Sequence, residues 1–458
     1  MIRNDLTVGS ISEHIKRIAI PASVGMFFNT MYNVVDTVFA GRLGTESLAG
    51  MSMSFPIFFI VIALSSGLAT GSTALISNAL GAKNSKKANE YAYNAVILSI
   101  IFGLIITVFG NSIGSGLFSL LGASGASLVE GMNYVSMIFM GSIFFIVNGV
   151  LNSLLSSQGD TKSYRNFLIV GFFLNCILDP LFIYGWFSLP KLGTSGVALA
   201  TVVIQFLGMF YLLYKINKSE EFAVVKLIKS KISISKILEI LRQAVPSSLN
   251  MITIALGFFV INYFVLKYGG DAAVAGYGAS VRIEQIALLP TLGLNIATLT
   301  LVGQNFGARN YSRIKEIYKV ALKYGLIIMT TAMIVIYPLS TFLVGLFNKD
   351  PEVVAVGSEY LRIEFLAFNT YVFLNVSISI LQGLKKPMFA IYVGLYRQLA
   401  MPIVIFYALG TIFELGTRGV WWGIVLINWS AVLLIVAITI RNLKKLPEDG
   451  ALWEGKAK

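Results

Sequence analysis

Apolar residues along this chain fall into long blocks separated by short polar breaks. A helix needs roughly 20 predominantly apolar residues to cross a hydrocarbon core of about 30 Å. Twelve blocks reach that length, at approximately 15–40, 50–79, 90–111, 128–157, 163–187, 194–216, 238–267, 275–305, 314–347, 353–381, 387–410 and 418–441. The pattern predicts an all-α polytopic membrane protein. Composition agrees: 56% of the 458 residues are hydrophobic, 12% are charged and the mean hydropathy is +0.78. A soluble chain would carry about 25% charged residues.

The polar breaks alternate in charge. One set carries Lys83, Lys86 and Lys87, then Lys162 and Arg165, then six lysines from Lys215 to Lys236. It continues with Arg309, Arg313 and Lys315, with Lys385 and Lys386, and with Arg441, Lys444 and Lys445 in the tail. The opposite set is nearly bare of cations, so the positive-inside rule puts both termini in the cytoplasm; the expected location is the cytoplasmic (inner) membrane. The net charge of +13 is then a loop property, and nucleic acid is not an expected partner. The polar N-terminus shows no signal peptide, and the first helix is expected to direct insertion. A single cysteine, Cys176, rules out a disulfide framework and a thiolate metal site.

The two halves of the chain match. "NALGAKN" answers "QNFGARN", with Gly81 on Gly307 at an offset of 226. Gln158 aligns with Gln382 (224), Pro180 with Pro402 (222) and Gly196 with Gly419 (223). Each half holds six segments, so both start on the same membrane face. This is a parallel repeat about the membrane normal, the mark of a two-bundle transporter that works by alternating access. The expected organisation is an N-terminal six-helix lobe over 1–217, a cytoplasmic amphipathic linker over 218–237 and a C-terminal lobe over 238–458.

Carboxylates inside the apolar blocks cost about 2.5–3.5 kcal/mol each on insertion scales. Asp36 and Asp179 lie deepest in apolar surroundings. The repeat sets Asp36 against Ile261 (offset 225) and Asp179 against Met401 (222), so the scaffold does without both in its second half. That favours function over structure. Asn29, Asn33 and Asp36 share one helical stripe with Tyr32 alongside, and Asn175 and Asp179 are one turn apart. At 1.5 Å per residue, Asp36 sits roughly 28 Å from Arg17, Asp179 roughly 21 Å from Arg165, and Thr201 roughly 15 Å from Lys191. A polar nest in the N-terminal lobe follows. Carboxylates so placed titrate as a unit. Deprotonated, the pair attracts a cation; protonated, it releases the cation and lets the lobe repack. Each proton entering down the membrane potential supplies about 2.3 kcal/mol per 100 mV.

Several stretches together resemble the MATE (multidrug and toxic compound extrusion) transporters, most closely the DinF-type prokaryotic branch. They are "IPASVGMFFNTMYNVVDTVFAGRLGTESLAG", "NALGAKN", "SSQGD", "NCILDP" and "VRIEQIALLPTLGLN". The likeness covers essentially the whole chain, in order. It implies twelve helices in two six-helix bundles, an outward-facing central cleft, and export of hydrophobic, often cationic compounds by antiport with protons or, alternatively, sodium. Asp36, Asn175, Asp179 and Thr201 match the ion-linked cluster of that branch and would be the metal ligands under sodium coupling. Asn29 and Asn152 match positions associated with the substrate cavity, with Tyr32 and Asn33 expected beside them. Pro21 matches a proline proposed to let the first helix bend. No cofactor beyond the coupling ion is implied, and the partners are small organic molecules and the bilayer, with the protein a monomer.

Other ionisable residues give weaker signals. Arg282 and Glu284 lie inside the eighth segment, where a structural ion pair is as good a reading. Arg397 falls opposite Asn175 in the repeat, where a lipid-linked oligosaccharide flippase of the same superfamily would place an anion contact. That alternative is disfavoured because almost no cation lies mid-membrane. Arg362, Glu364, Glu414 and Arg418 lie near segment ends, where solvation is expected. Gln382 stands where sodium-type relatives of another branch carry an aspartate, and the seventh segment lacks their glutamate, which argues against a sodium site in the second half. His14 is the sole histidine, and no catalytic motif accompanies it, so an enzyme is not expected.

Overall fold

The structure, a computed structural model, describes residues 5–120, 124–219, 221–222 and 230–451. Much of the expected amphipathic linker, residue 220 and residues 223–229, lies outside them. The first half begins with α1 (Ile11–Leu43), α2 (Thr45–Gly81) and α3 (Ser85–Leu120). α4 (Gly125–Met140) and α5 (Ser142–Ser157) make one span bent by 50°, and α6 (Lys162–Tyr184) and α7 (Thr194–Asn217) follow. A run over Ile234–Gly307 is broken at Gly270 into α8 (234–269) and α9 (271–307). α10 (Tyr311–Phe347) precedes a second bent span, α11 (Pro351–Glu364) and α12 (Phe368–Gly383), angled by 55°. α13 (Met388–Ile412) and α14 (Gly416–Lys444) complete the order. Counting each bent pair as one span, the twelve apolar blocks each become a helix among the described residues. Helices are what a bilayer demands, because each backbone N–H and C=O finds its partner within the span.

Gly270 makes the break because its φ of 63° and ψ of −163° fall in a region essentially closed to residues with a Cβ. The long run therefore reads as two antiparallel-capable spans and not one.

The chain forms two compact units: Val24–Ser248, called here the N-terminal unit, and Met1–Ser23 joined to Leu249–Lys458, the C-terminal unit. Both boundaries fall inside helices, α1 and α8. Each comes two residues after a proline, Pro21 and Pro246, and these are 225 apart in the numbering.

Apolar side chains gain little by meeting each other in lipid, so spans associate through small residues that admit close backbone contact. In the N-terminal unit Gly67 and Gly71, one turn apart on α2, lie against Ser248 and Ala244, one turn apart on α8. A Cβ on Gly67 would meet the Ser248 nitrogen at 2.7 Å.

The repeat is visible as chemistry. In the N-terminal unit Gly50 crosses Gly131, and Ser54 Oγ bonds the Gly50 carbonyl (2.7 Å) and faces that of Gly131 (3.2 Å). In the C-terminal unit Gly276 crosses Gly357, and Ser280 Oγ meets the carbonyls of Gly276 (2.8 Å) and Gly357 (2.9 Å). All three pairs are 226 residues apart.

One part of the sequence register needs correction. α6 has 23 residues and α13 has 25, and α13 alone contains two five-residue π-helical stretches, Tyr396–Ala400 and Ala408–Ile412. Each π stretch absorbs an extra residue. Lys162 and Met388 start these helices 226 apart, and Tyr184 and Ile412 end them 228 apart. Pairing Pro180 with Pro402 thus slips by about one turn of 3.6 residues. Arg397 stands opposite Gly171, not Asn175, and Asp179 stands opposite Phe406 and not Met401. The conclusion that the second half lacks the aspartate survives the shift.

Candidate ion-coupling site

The site is built where α1 runs beside α6. Gly25 admits the Arg165 backbone, with a would-be Cβ to Cα distance of 3.2 Å. Phe28 packs edge-on against Phe172 with ring centres 5.5 Å apart. α7 closes the other side of α6 at Gly171, against Ile204. These approaches leave four polar side chains enclosed: Asp36 is 3% exposed, Asn175 and Asp179 are 0%, and Thr201 is 4%.

A single amide joins the two carboxylates. Asn175 Nδ2 donates to Asp36 Oδ1 at 2.9 Å and to Asp179 Oδ1 at 3.0 Å. The two carboxylates face each other, and the Thr201 hydroxyl faces Asp36. No lysine or arginine is among the groups of the described residues that act on either aspartate. Asn175 Oδ1 and Asp179 Oδ2 are buried without a hydrogen-bond donor. The arrangement offers oxygen atoms and negative charge with no cationic side chain among the described residues to balance them. Pro180, next to Asp179, cannot supply the N–H that would pair with the Cys176 carbonyl.

Residues assigned to the substrate cavity separate. Tyr32 joins the carboxylate cluster, its ring hydroxyl buried and turned toward Thr201 and Asp36. Asn29 and Asn33 are exposed, and Asn33 Nδ2 bonds the Asn29 carbonyl at 2.8 Å. Asn152 is half-buried and accepts from Ser156 Oγ at 3.2 Å on its own helix. Tyr134 on α4, which sequence reasoning missed, is buried close to both aspartates. A tyrosine among many apolar aromatics carries no signal of that placement. Pro21 is buried within α1, and beside it Ser23 Oγ meets the carbonyls of Ala19 (2.9 Å) and Pro290 (3.2 Å).

In the C-terminal unit Arg282 is exposed and Glu284 is buried. Two residues apart on a helix they face different ways, so they form no pair with each other. Glu284 instead accepts from the Tyr360 hydroxyl at 3.0 Å. Arg362 and Arg418 take the expected peripheral places, Arg418 pairing with Glu359 at 2.6 Å. Glu364 does not. Expected to be solvated, it is fully buried, because the span containing it bends there and carries it inward.

Two six-span bundles with one internal design, and a sealed polar nest in one of them, define a multi-pass membrane transporter. The sequence model of the MatE family matches residues 21–181 and 246–408, and the chain belongs to that family, the MATE transporters, which are not enzymes. A probable multidrug resistance protein NorM of Thermotoga maritima is 27% identical over 425 residues, spanning 91% of this chain and 90% of that one. An FAD transporter of Shewanella oneidensis is 28% identical over 449 residues, 96% of this chain and 94% of that one. Among solved structures, a MOP superfamily transporter from Pyrococcus furiosus superposes with a TM-score of 0.91 at 27% identity, covering 97% of this chain and 99% of that one.

Proposed function

We propose that this protein is a secondary active exporter of hydrophobic, often cationic organic compounds, working by alternating access and driven by an inward proton gradient, with sodium as the alternative ion. Asp36, Asn175, Asp179 and Thr201 form the ion-coupling cluster, with Tyr32 at its edge. The observation that carries this reading is the pair of enclosed aspartates joined by one amide, with no lysine or arginine of the described residues acting on them. Two such charges in a dry site require a compensating cation, and that cation is the coupling ion. Under sodium coupling the same four residues would hold the metal, and the donor-free oxygens of Asn175 and Asp179 suit a hard cation that prefers oxygen ligands.

Asn29, Asn33 and Asn152 line the substrate path, and Pro21 lets α1 bend as the cluster changes charge. The chain sits in the inner membrane as a monomer with both termini in the cytoplasm, its lobes 1–217 and 238–458 joined by the 218–237 linker. Efflux of a fluorescent organic cation from cells, with the proton and sodium gradients collapsed separately, tests the reading. Loss of efflux on collapsing one gradient names the ion; efflux that survives both collapses refutes ion-coupled export. The likeness to an FAD transporter over 96% of the chain carries a second reading, a flavin dinucleotide as substrate. Competition of FAD with the dye would favour it.

A further inference from the structure

The C-terminal unit contains a second enclosed pair of carboxylates, one that the coupling cluster does not use. Glu364 is 0% exposed and Glu284 is 7%. α9 supplies Glu284 and Tyr277, α11 supplies Tyr360 and Glu364, α12 supplies Tyr371, and α13 supplies Arg397. Tyr360 donates to Glu284 Oε2 at 3.0 Å, and Tyr371 donates to Glu364 Oε1 at 3.0 Å. Tyr371 also faces Glu284, so one phenol stands between the two carboxylates. The Arg397 guanidinium lies 5.7 Å from the centre of the Tyr371 ring, is steadied by Asn428 Oδ1 at 3.1 Å, and acts on both glutamates.

Three further features converge here. Glu364 is the last residue of α11, at the 55° break in its span, and broken membrane helices mark ion sites in transporters. Arg397 lies on the π-helical stretch Tyr396–Ala400, a local insertion that often sits at functional positions. Glu364 Oε2 is buried with no hydrogen-bond donor, so the oxygen that faces away from Tyr371 awaits a partner. The bend itself does not need this arrangement, since the matching bend in the N-terminal unit, at Gly141, is made without any carboxylate.

Charge balance decides what the partner is. Two carboxylates and one guanidinium leave one negative charge in excess, and the tyrosines that face the pair (Tyr277, Tyr360 and Tyr371) are neutral donors. We propose that Glu284 and Glu364 form a second exchangeable proton site, holding one shared proton, in the C-terminal unit. A proton fits better than a metal ion because Arg397 repels a second full cation at the same place. The site uses neither Gln382 nor the seventh segment, the positions from which a second-half sodium site was discounted. The proposal is independent of the transported substrate, because its test reads protonation and not transport.

Infrared difference spectra of the purified full-length protein, recorded across a pH titration, test it through the carboxylic acid C=O stretch. In an Asp36→Asn/Asp179→Asn background a protonated-carboxyl band should remain. Adding either Glu284→Gln or Glu364→Gln should remove that band, because Arg397 then balances the one remaining carboxylate. Arg397→Gln should instead raise it to about twice its area, since both glutamates then need a proton. A band insensitive to both glutamine variants, or absent from the double-Asn background, overturns the proposal. So does a band that Na+ abolishes and K+ does not, which would make this a sodium site. Should one glutamine variant fail to fold, the other and Arg397→Gln still decide the matter.

Discussion

The side-chain amide of Asn175 lies 2.9 Å from Asp36 Oδ1 across 139 residues of sequence, and the same nitrogen reaches Asp179. One donor thus sets the spacing of both carboxylates. Asn175→Leu keeps the forked side-chain skeleton but removes the bridge. A hydrogen bond to a charged group contributes about 1.5–3 kcal/mol, so ion-driven transport should fall roughly 10- to 150-fold while the protein still inserts. Asn175→Gln, one methylene longer, should recover part of it. Transport rates normalised to protein in the membrane check this.

Close contact in the N-terminal unit makes a stability prediction with an internal control. A Cβ on Gly67 would meet backbone atoms of Ser248 and Ala244 within 2.8 Å, whereas Gly41 has nothing within 4 Å. Gly67→Ala should destabilise by about 1–3 kcal/mol through overpacking. Gly41→Ala, inside α1, should stabilise by about 0.5–1 kcal/mol. Thermal unfolding in detergent should show midpoint shifts of opposite sign.

Gly270 offers a case of backbone strain alone. Open space surrounds its would-be Cβ, yet its φ is +63°. Gly270→Ala should therefore cost about 1–3 kcal/mol without any clash, and Gly270→Pro more. A midpoint unchanged by Gly270→Ala would show that the break between α8 and α9 is not held in this conformation.

Asp449, outside the spans, predicts an acid dependence. It accepts from the Ser312 backbone N–H at 2.8 Å, in the first turn of α10, and from the Ser312 hydroxyl. These bonds hold its carboxyl below the usual value of 3.8. A group with a depressed folded value stabilises above its unfolded value and loses that contribution as pH falls through the folded one. The cap should be fully present above about pH 4 and fade below it. Asp449→Ala should lower stability by about 0.5–1 kcal/mol at neutral pH, and the gap to wild type should close on acidification.

Hydropathy alone located every span, because a bilayer penalises any other arrangement of such blocks. Asp36 and Asp179 were legible for the same reason: a carboxylate in an apolar block is costly, and the repeat showed the scaffold without it. Glu364 was not legible. It was expected near a segment end, in solvent, although it lies eleven residues inside the 353–381 block; the bend between α11 and α12 then turns it inward. Nor could sequence show the two π stretches in α13, since an inserted residue leaves the hydrophobic pattern intact while moving every later side chain by about 100°. Arg397 was set against Asn175 one turn out of register for another reason: Pro180 was paired with Pro402 at an offset of 222, whereas Lys162 and Met388 begin these helices 226 apart. Tyr32 illustrates a third limit: its helical stripe was right, but which neighbour it met depended on α7 packing at Thr201.

The central claim is that the aspartate pair converts an ion gradient into export. Proteoliposomes loaded with a fluorescent organic cation, given an imposed gradient of the ion identified in cells, measure this with the purified protein. Wild type should move dye against its gradient, and Asp36→Asn and Asp179→Asn should each abolish that movement while inserting to the same level. Gradient-driven dye movement at the wild-type rate in both variants would contradict the account.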